Sequence, residues 1–445
     1  MKNNHKKFIA YTIATGLLIN IPCFAYAQDV NAAKQAGVDL SKDPPTRAPG
    51  IKPKEKSLEE GFWVESHKAE VQAKTSGERT HHKELESYTT DLLQHMLPDY
   101  KSDIRVYVME RPFFNASMAP NGYTEIWTGL LLRAETEDEV AFVLGHEAGH
   151  YLHSHSITAY ENLKEKQQLA LAASLVLTAA TIAAAGNASS IGSAQDISNL
   201  GQSLVNIVYL GTMASFMGYT RDMEERADIY GDYYAVSSGY NPKAGENIWK
   251  NLLDETAASD YQRVRNRPTR INIFGSHPLE SERIINLETY NQKSGNIAKE
   301  YDDAKQKSAR IAYRSKIRPY IGEWLKDDLR RQDFGQTLFI INRMKKDDQD
   351  LGLLNFYQAE ALKLQGKNLD AAAGSYIEAS KYPDAPLETQ RQLGDVYRKL
   401  EKNSLAIEAY KKYLNLNPNA EDNWIIEDLI STLSKNTNQV QNKAS

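Results

Sequence analysis

Sulfur chemistry is nearly absent from this chain: its 445 residues include one cysteine, Cys23, and that lies close to the N-terminus. No intramolecular disulfide can form, so stability must come from packing and from any bound metal. Lipidation of Cys23 is disfavoured by Pro22, which stands where such sites usually carry a small residue. Positive charge is also short, with 53 Lys and Arg against 58 Asp and Glu and a formal net charge of -5. Losing Lys2, Lys6 and Lys7 with a leader would make the balance more negative still. A phosphate-tracking surface, and with it a nucleic-acid partner, is not expected. Long apolar runs are missing too. The stretches Phe8–Ile21 and Leu169–Ala185 both fall short of the roughly 20 residues that cross a bilayer.

What is present is an ordinary globular composition, 41% hydrophobic and 25% charged, with room for two or three domains. Residues 1–27 read as a signal peptide: a basic start, the apolar stretch, then Ala25-Tyr26-Ala27 as a cleavage site. Export to the periplasm with cleavage after Ala27 is the expectation. Residues 28–56 are polar and rich in Pro and Lys, a linker or an irregular N-terminal arm. Helical patterns run from Ser57 to near Met96. Ile104–Val108 and Tyr123–Trp127 then alternate as strands, with a loop between them. Tyr123–Trp127 is a candidate edge for pairing with an extended substrate. A helix from about Glu135 to His153 follows, opened by Thr136 and the acidic run Glu137-Asp138-Glu139. Leu169–Ala185 reads as a buried helix, a lid or a membrane span, with a second helical stretch from about Asp196 to Gly218 returning beside it.

From Asp302 the pattern is wholly helical. Ala372 matches Ala406 and Tyr376 matches Tyr410 at an offset of 34 residues, the tetratricopeptide period, with Leu369 and Asn403 as an imperfect pair. A degenerate earlier copy is expected around Trp324 to Met344, and a closing helix from Trp424 to Leu433. The expected fold is therefore mainly α with a small sheet (α+β): a catalytic domain over 57–301, then a tetratricopeptide-like repeat domain over 302–445.

The chemistry concentrates at His146-Glu147-Ala148-Gly149-His150. Histidines four apart project from one face of a helix and can hold a single zinc ion. Glu147 beside them is placed as general base for a water whose acidity the metal raises. A catalytic zinc needs a third protein ligand and an open fourth position. A third histidine at the eleven-residue spacing is ruled out, because residue 153 is His where Gly is required and residue 156 is Ser. Glu224 is the candidate instead, because Asp228 follows one helical turn later, where it can accept a hydrogen bond from a ligating imidazole. Glu225 is its nearest rival and lacks the matching aspartate.

Asn115-Ala116, Gly129-Leu130-Leu131, Glu137-Asp138-Glu139, His146 to His150 with His155, Tyr219-Thr220-Arg221 leading into Glu224 and Asp228, Gly239-Tyr240-Asn241-Pro242, and Ser276-His277-Pro278 with Arg283 occur in that order. This string resembles the HtpX and CAAX prenyl protease family over roughly Ser57 to Leu287. The resemblance implies a gluzincin fold and ligation of one Zn2+ by His146, His150 and Glu224. With a leader and a repeat tail, it implies quality control of outer-membrane β-barrel proteins. His277 is a candidate fourth ligand acting as a plug, or an oxyanion stabiliser, or an ordinary loop histidine.

The function expected is a periplasmic zinc endopeptidase, with chaperone activity as an accompaniment. Its substrates would be unfolded or misassembled envelope proteins, and the β-barrel assembly machinery would bind through the helical repeats. Two rivals stand beside it: a non-proteolytic tetratricopeptide adaptor with a structural zinc, and an integral membrane protease spanning at Leu169–Ala185.

Overall fold

Helices begin where the sequence supplies a cap. In the computed structural model, which describes residues 45–165, 219–266, 270–272, 278–294 and 303–444, the Ser57 hydroxyl accepts from Glu60 N at 3.1 Å and opens α1 (Leu58–Thr75). Helix α2 (Lys83–Met96) follows, then strands β1 (Arg105–Met109), β2 (Ala116–Met118) and β3 (Tyr123–Trp127). A short α3 (Thr128–Arg133) leads into α4 (Glu137–Leu152), whose first turn is capped by the Thr136 side chain. Helices α5 (Arg221–Ser237), α6 (Ala244–Ala257) and α7 (Ser281–Ser294) complete the first unit. An antiparallel pair, β4 (Arg270–Asn272) and β5 (Pro278–Glu280), precedes α7.

The main sheet has the order β1-β3-β2, parallel between β1 and β3 and antiparallel between β2 and β3. Tyr123–Trp127 is thus the central strand and not the edge expected for it. The strand that covers its second side, Ala116–Met118, is three residues long, too short for alternation to show, and the sequence reads there as loop. The outer side of β1 is occupied as well, by Thr80 N donating to Val108 O and Glu110 N to Glu78 O. Among the described residues, β2 is the edge that remains.

Residues 45–56, the described part of the proline-rich arm, are irregular and docked. The backbone N–H groups of Thr46 and Arg47 both donate to Leu152 O, at the carbonyl end of α4. Arg47 is buried over the rings of Trp63 and Tyr151 and pairs with Glu59.

Beyond residue 302 the chain is helical throughout: α8 (Asp303–Ile317), α9 (Ile321–Leu329), α10 (Phe334–Lys345), α11 (Leu351–Gln365), α12 (Leu369–Ala379), α13 (Thr389–Lys399), α14 (Asn403–Leu416) and α15 (Asn423–Ala444). The 34-residue offset separates the starts of α12 and α14, and Ala372, Ala406, Tyr376 and Tyr410 are fully buried. The stretch around Trp324 to Met344 behaves differently. Helices α8 to α10 pack into the same core as α3 and α4, through Tyr313, Ile317, Trp324, Leu325, Ile340 and Met344.

Polar contacts follow the same path across residue 302. The Tyr313 hydroxyl donates to Leu131 O at 2.7 Å. Buried Arg133 holds Glu255 on one side and Asp328, at 2.7 Å, on the other. The segment read from the sequence as a signal peptide, and the two stretches between 169 and 218 that the sequence reads as helical, lie outside the described residues. Among those described, no helix is long and apolar enough to cross a membrane.

Candidate metal centre

The centre is built where α4 crosses α5 with almost no side chain between them. A β-carbon added at Gly145 would stand 2.9 Å from Gly231 O, and one at Gly149 would stand 3.1 Å from the Ala227 α-carbon. Small residues on both helices therefore let the backbones touch, and the polar faces on either side of the crossing are brought together. Helix α4 contributes His146 and His150. Helix α5, capped by the Thr220 hydroxyl, contributes Glu224 and Asp228.

His146 Nε2 lies 3.1 Å from His150 Nε2, and Glu224 reaches both, at 3.7 Å from the first and 3.6 Å from the second. All three residues are buried, as is Glu147. His146, His150 and Glu224 form the one group of three or more His, Cys, Asp and Glu side chains among the described residues whose donor atoms meet closely enough to hold a metal ion. The rival, Glu225, points to solvent.

The outer nitrogens of both imidazoles are engaged. His146 Nδ1 meets Asp228 Oδ1 at 3.0 Å, and His150 Nδ1 meets His155 Nδ1 at 2.8 Å. Each contact accounts for the Nδ1 proton and leaves Nε2 as the lone-pair side facing Glu224. Tyr219 stacks on the His150 ring at 4.0 Å and shares a 2.9 Å hydrogen bond with Ser156, which fixes the plane of that imidazole.

Arg283, from α7, ties the acidic side together. Its Nε and Nη2 donate to the two Asp228 oxygens at 2.7 and 2.6 Å, and Nη1 lies 2.7 Å from Glu224 Oε2. Burial alone would raise the Asp228 carboxyl; the charge and hydrogen bonds of Arg283 outweigh it and hold the group down to about 2. The guanidinium itself lies 4.7 Å from the Trp249 ring centroid, and Trp249 Nε1 donates to Asp228 Oδ1 at 3.3 Å.

The donor set suits zinc. Two imidazole nitrogens and a carboxylate stand at separations close to the roughly 3.4 Å that a tetrahedral ion with bonds of about 2.1 Å requires. Charge agrees. Glu147, Glu224 and Asp228 are buried around a single buried guanidinium among the described residues, an excess of negative charge that a dication would offset.

Comparison with known proteins now decides the family. The profile of peptidase family M48 matches residues 80–291, which contain every residue of this centre. The chain carries an M48 peptidase domain. Among similar proteins, the putative β-barrel assembly-enhancing protease of Vibrio cholerae is 26% identical over 42% of this chain and 34% of its own length. The β-barrel assembly-enhancing protease of Escherichia coli is 23% identical over 56% of this chain and 49% of its own. The mitochondrial metalloendopeptidase OMA1 of Arabidopsis thaliana is 28% identical over 35% of this chain and 27% of its own. The chain thus spans half or less of the length of these relatives.

The M48 domain brings His146, Glu147, His150, Glu224 and Asp228 to one point. His277 lies outside the described residues. Residues 278–280 leading into α7 and Arg283 itself are described, and Arg283 is the partner whose contacts the sequence left unassigned. Arg283 is 55 residues from Asp228, and no local spacing joins them. His155 and Tyr219 stood in the family string without an assigned role and Trp249 was silent, because a side chain that braces another is defined by the fold and not by a motif.

Proposed function

We propose that this protein is a zinc endopeptidase of the bacterial periplasm, in which His146, His150 and Glu224 hold the metal and Glu147 is the general base. The reading is carried by one observation: two histidines from α4 and a carboxylate from α5 converge within 4.8 Å in a buried pocket that also contains Glu147. A bound zinc ion would supply Lewis acidity, polarising the scissile carbonyl and acidifying the attacking water.

The remaining steps belong to the chain's own residues. Glu147 takes the water's proton and returns it to the leaving amine. Asp228 fixes the His146 tautomer, and Arg283 holds Asp228 and Glu224 in register, so the site is set before substrate arrives. An extended substrate pairs along β2, the open edge of the sheet, which packs against α4. Main-chain pairing of this kind is indifferent to side chains and suits unfolded clients.

The names of the relatives support β-barrel assembly as the setting. The clients are then unfolded or stalled outer-membrane proteins, and α11 to α15, read as tetratricopeptide-like repeats, bind the assembly machinery. His277 is proposed as a fourth ligand that keeps the resting enzyme closed. One test addresses the core of this reading. The purified full-length protein should contain about one zinc per chain and degrade an unfolded β-barrel protein, while Glu147→Gln keeps the zinc and loses cleavage. A metal-free wild type, or an active Glu147→Gln, overturns it.

A further inference from the structure

Asp232 lies one turn beyond Asp228 on α5, 1% exposed, on the side of the helix that faces α6 and α7. Its Oδ1 is 3.5 Å from Asn291 Nδ2, and its Oδ2 is buried with no hydrogen-bond partner among the described residues. The same Asn291 amide nitrogen donates to Pro242 O at 2.7 Å and to Glu246 Oε1 at 3.3 Å. Three oxygens, from α5, α6 and the loop before α6, therefore surround one NH2 group that has two hydrogens to give. Asn291 Oδ1 is buried and also lacks a partner among the described residues. The charges acting on Asp232 are Glu246 and Asp228, both of the same sign as its own.

A buried carboxylate with one long hydrogen bond and, among the described residues, only acidic neighbours acting on it is unfavourable as it stands. Burial pushes its carboxyl well above the usual range, with the Asn291 hydrogen bond opposing and Glu246 and Asp228 adding to the rise. Protonation removes the charge but leaves an O–H at Oδ2 with nothing to accept it. A half-turn of the Asn291 amide offers a second resolution, because it brings Oδ1 toward Asp232, Glu246 and Pro242 O. Asn291 Oδ1 then takes the place of the amide nitrogen, about 2.7–3.5 Å from each of the other three oxygens, which is within the oxygen–oxygen spacing of a calcium shell whose bonds are roughly 2.4 Å. Glu246 is only half-buried, so the open side can admit the ion and complete its shell with water.

We propose that Asp232, Glu246, Asn291 and the Pro242 carbonyl form a second metal site, for a hard divalent cation of calcium size. Its location gives it a purpose. The ion joins α5, α6 and α7, the helices that carry Glu224 and Asp228, Trp249, and Arg283, so it braces the M48 centre from behind.

The test uses full-length, zinc-loaded protein titrated with terbium chloride, with tyrosine excitation. Buried Tyr233 and Tyr290 stand beside the site to sensitise emission. The wild type should give one saturable terbium signal that calcium chloride displaces. Calcium, but not sodium at matched ionic strength, should raise its Tm by a few degrees. Asp232→Asn should lose both responses while keeping its zinc, and Glu246→Gln should bind terbium about tenfold more weakly or worse. No calcium-displaceable emission in the wild type, or the same emission in Asp232→Asn, overturns the proposal and leaves Asp232 as a neutral buried acid.

Discussion

A β-carbon placed on Gly231 would stand 2.7 Å from the backbone nitrogen of His146. The contact is backbone to backbone, so neither side can swing away, and adding a methyl group must push α5 from α4. Glu224 and Asp228 ride on α5 and His146 and His150 on α4, so a shift of a few tenths of an ångström opens the donor set. Gly231→Ala should therefore cost about 1–3 kcal/mol and weaken zinc binding at least tenfold, read by thermal melts and metal titration. Gly374→Ala, on the open face of α12, is the control: nothing lies within 4 Å, and helix propensity should leave it neutral or up to about 1 kcal/mol more stable. Equal zinc affinity in Gly231→Ala and the wild type would show that the close crossing does not position the ligands.

Glu224→Ala should strip the metal, whereas Glu225→Ala, at an exposed position of the same turn, should leave both zinc content and turnover unchanged. Glu147→Gln should retain zinc and lower turnover by about 10²–10⁴-fold. A reversal between Glu224 and Glu225 in metal analysis would move the third ligand by one residue.

Cutting the chain at residue 301, where the sequence suggests a boundary, should not release a working M48 domain. Tyr313, Trp324, Leu325 and Ile340 belong to the core that α3 and α4 also share, and Asp328 is a partner of buried Arg133. The truncated protein would leave the Arg133–Glu255 pair half-satisfied and a large apolar face exposed, so aggregation and loss of zinc are expected. Removing residues 420–445 exposes only the small cluster around Tyr410 and Ile426 and should preserve the metal. Soluble, zinc-binding protein ending at 301 would show that the two halves fold separately.

Glu139 gives a pH dependence of definite sign. It is buried at the start of α4, where Glu135 N donates to it at 2.7 Å. Burial, with the nearby Glu135 charge adding, pushes its carboxyl up to about 8 from an ordinary value near 4.5. The folded state therefore holds a proton that the unfolded chain has released. This contribution to stability is complete below about pH 4.5 and is lost as pH rises through 8. Glu139→Gln keeps an acceptor for Glu135 N and cannot ionise. Its Tm advantage over the wild type should grow between pH 5 and 8, as differential scanning measurements would show, and a gap independent of pH would contradict the assignment.

The sequence by itself determined the local chemistry. A four-residue spacing puts His146 and His150 on one helix face, and the same spacing pairs Glu224 with Asp228, because helical geometry depends only on neighbours in the chain. Caps at Thr136 and the 34-residue step from Ala372 to Ala406 are legible for the same reason. The tertiary structure decided whatever depends on which distant segments meet. It set β3 at the centre of the sheet and left β2 as the edge, since three residues carry too little pattern to announce a strand. It also drew α8 to α10 into the first core, where Arg133 finds Asp328, a partner 195 residues away. Finally, it brought Arg283 to Asp228 and Glu224, and Asp232 to Glu246 and Asn291. Burial makes those charges consequential, and burial is a property of the packed helices and not of any one of them.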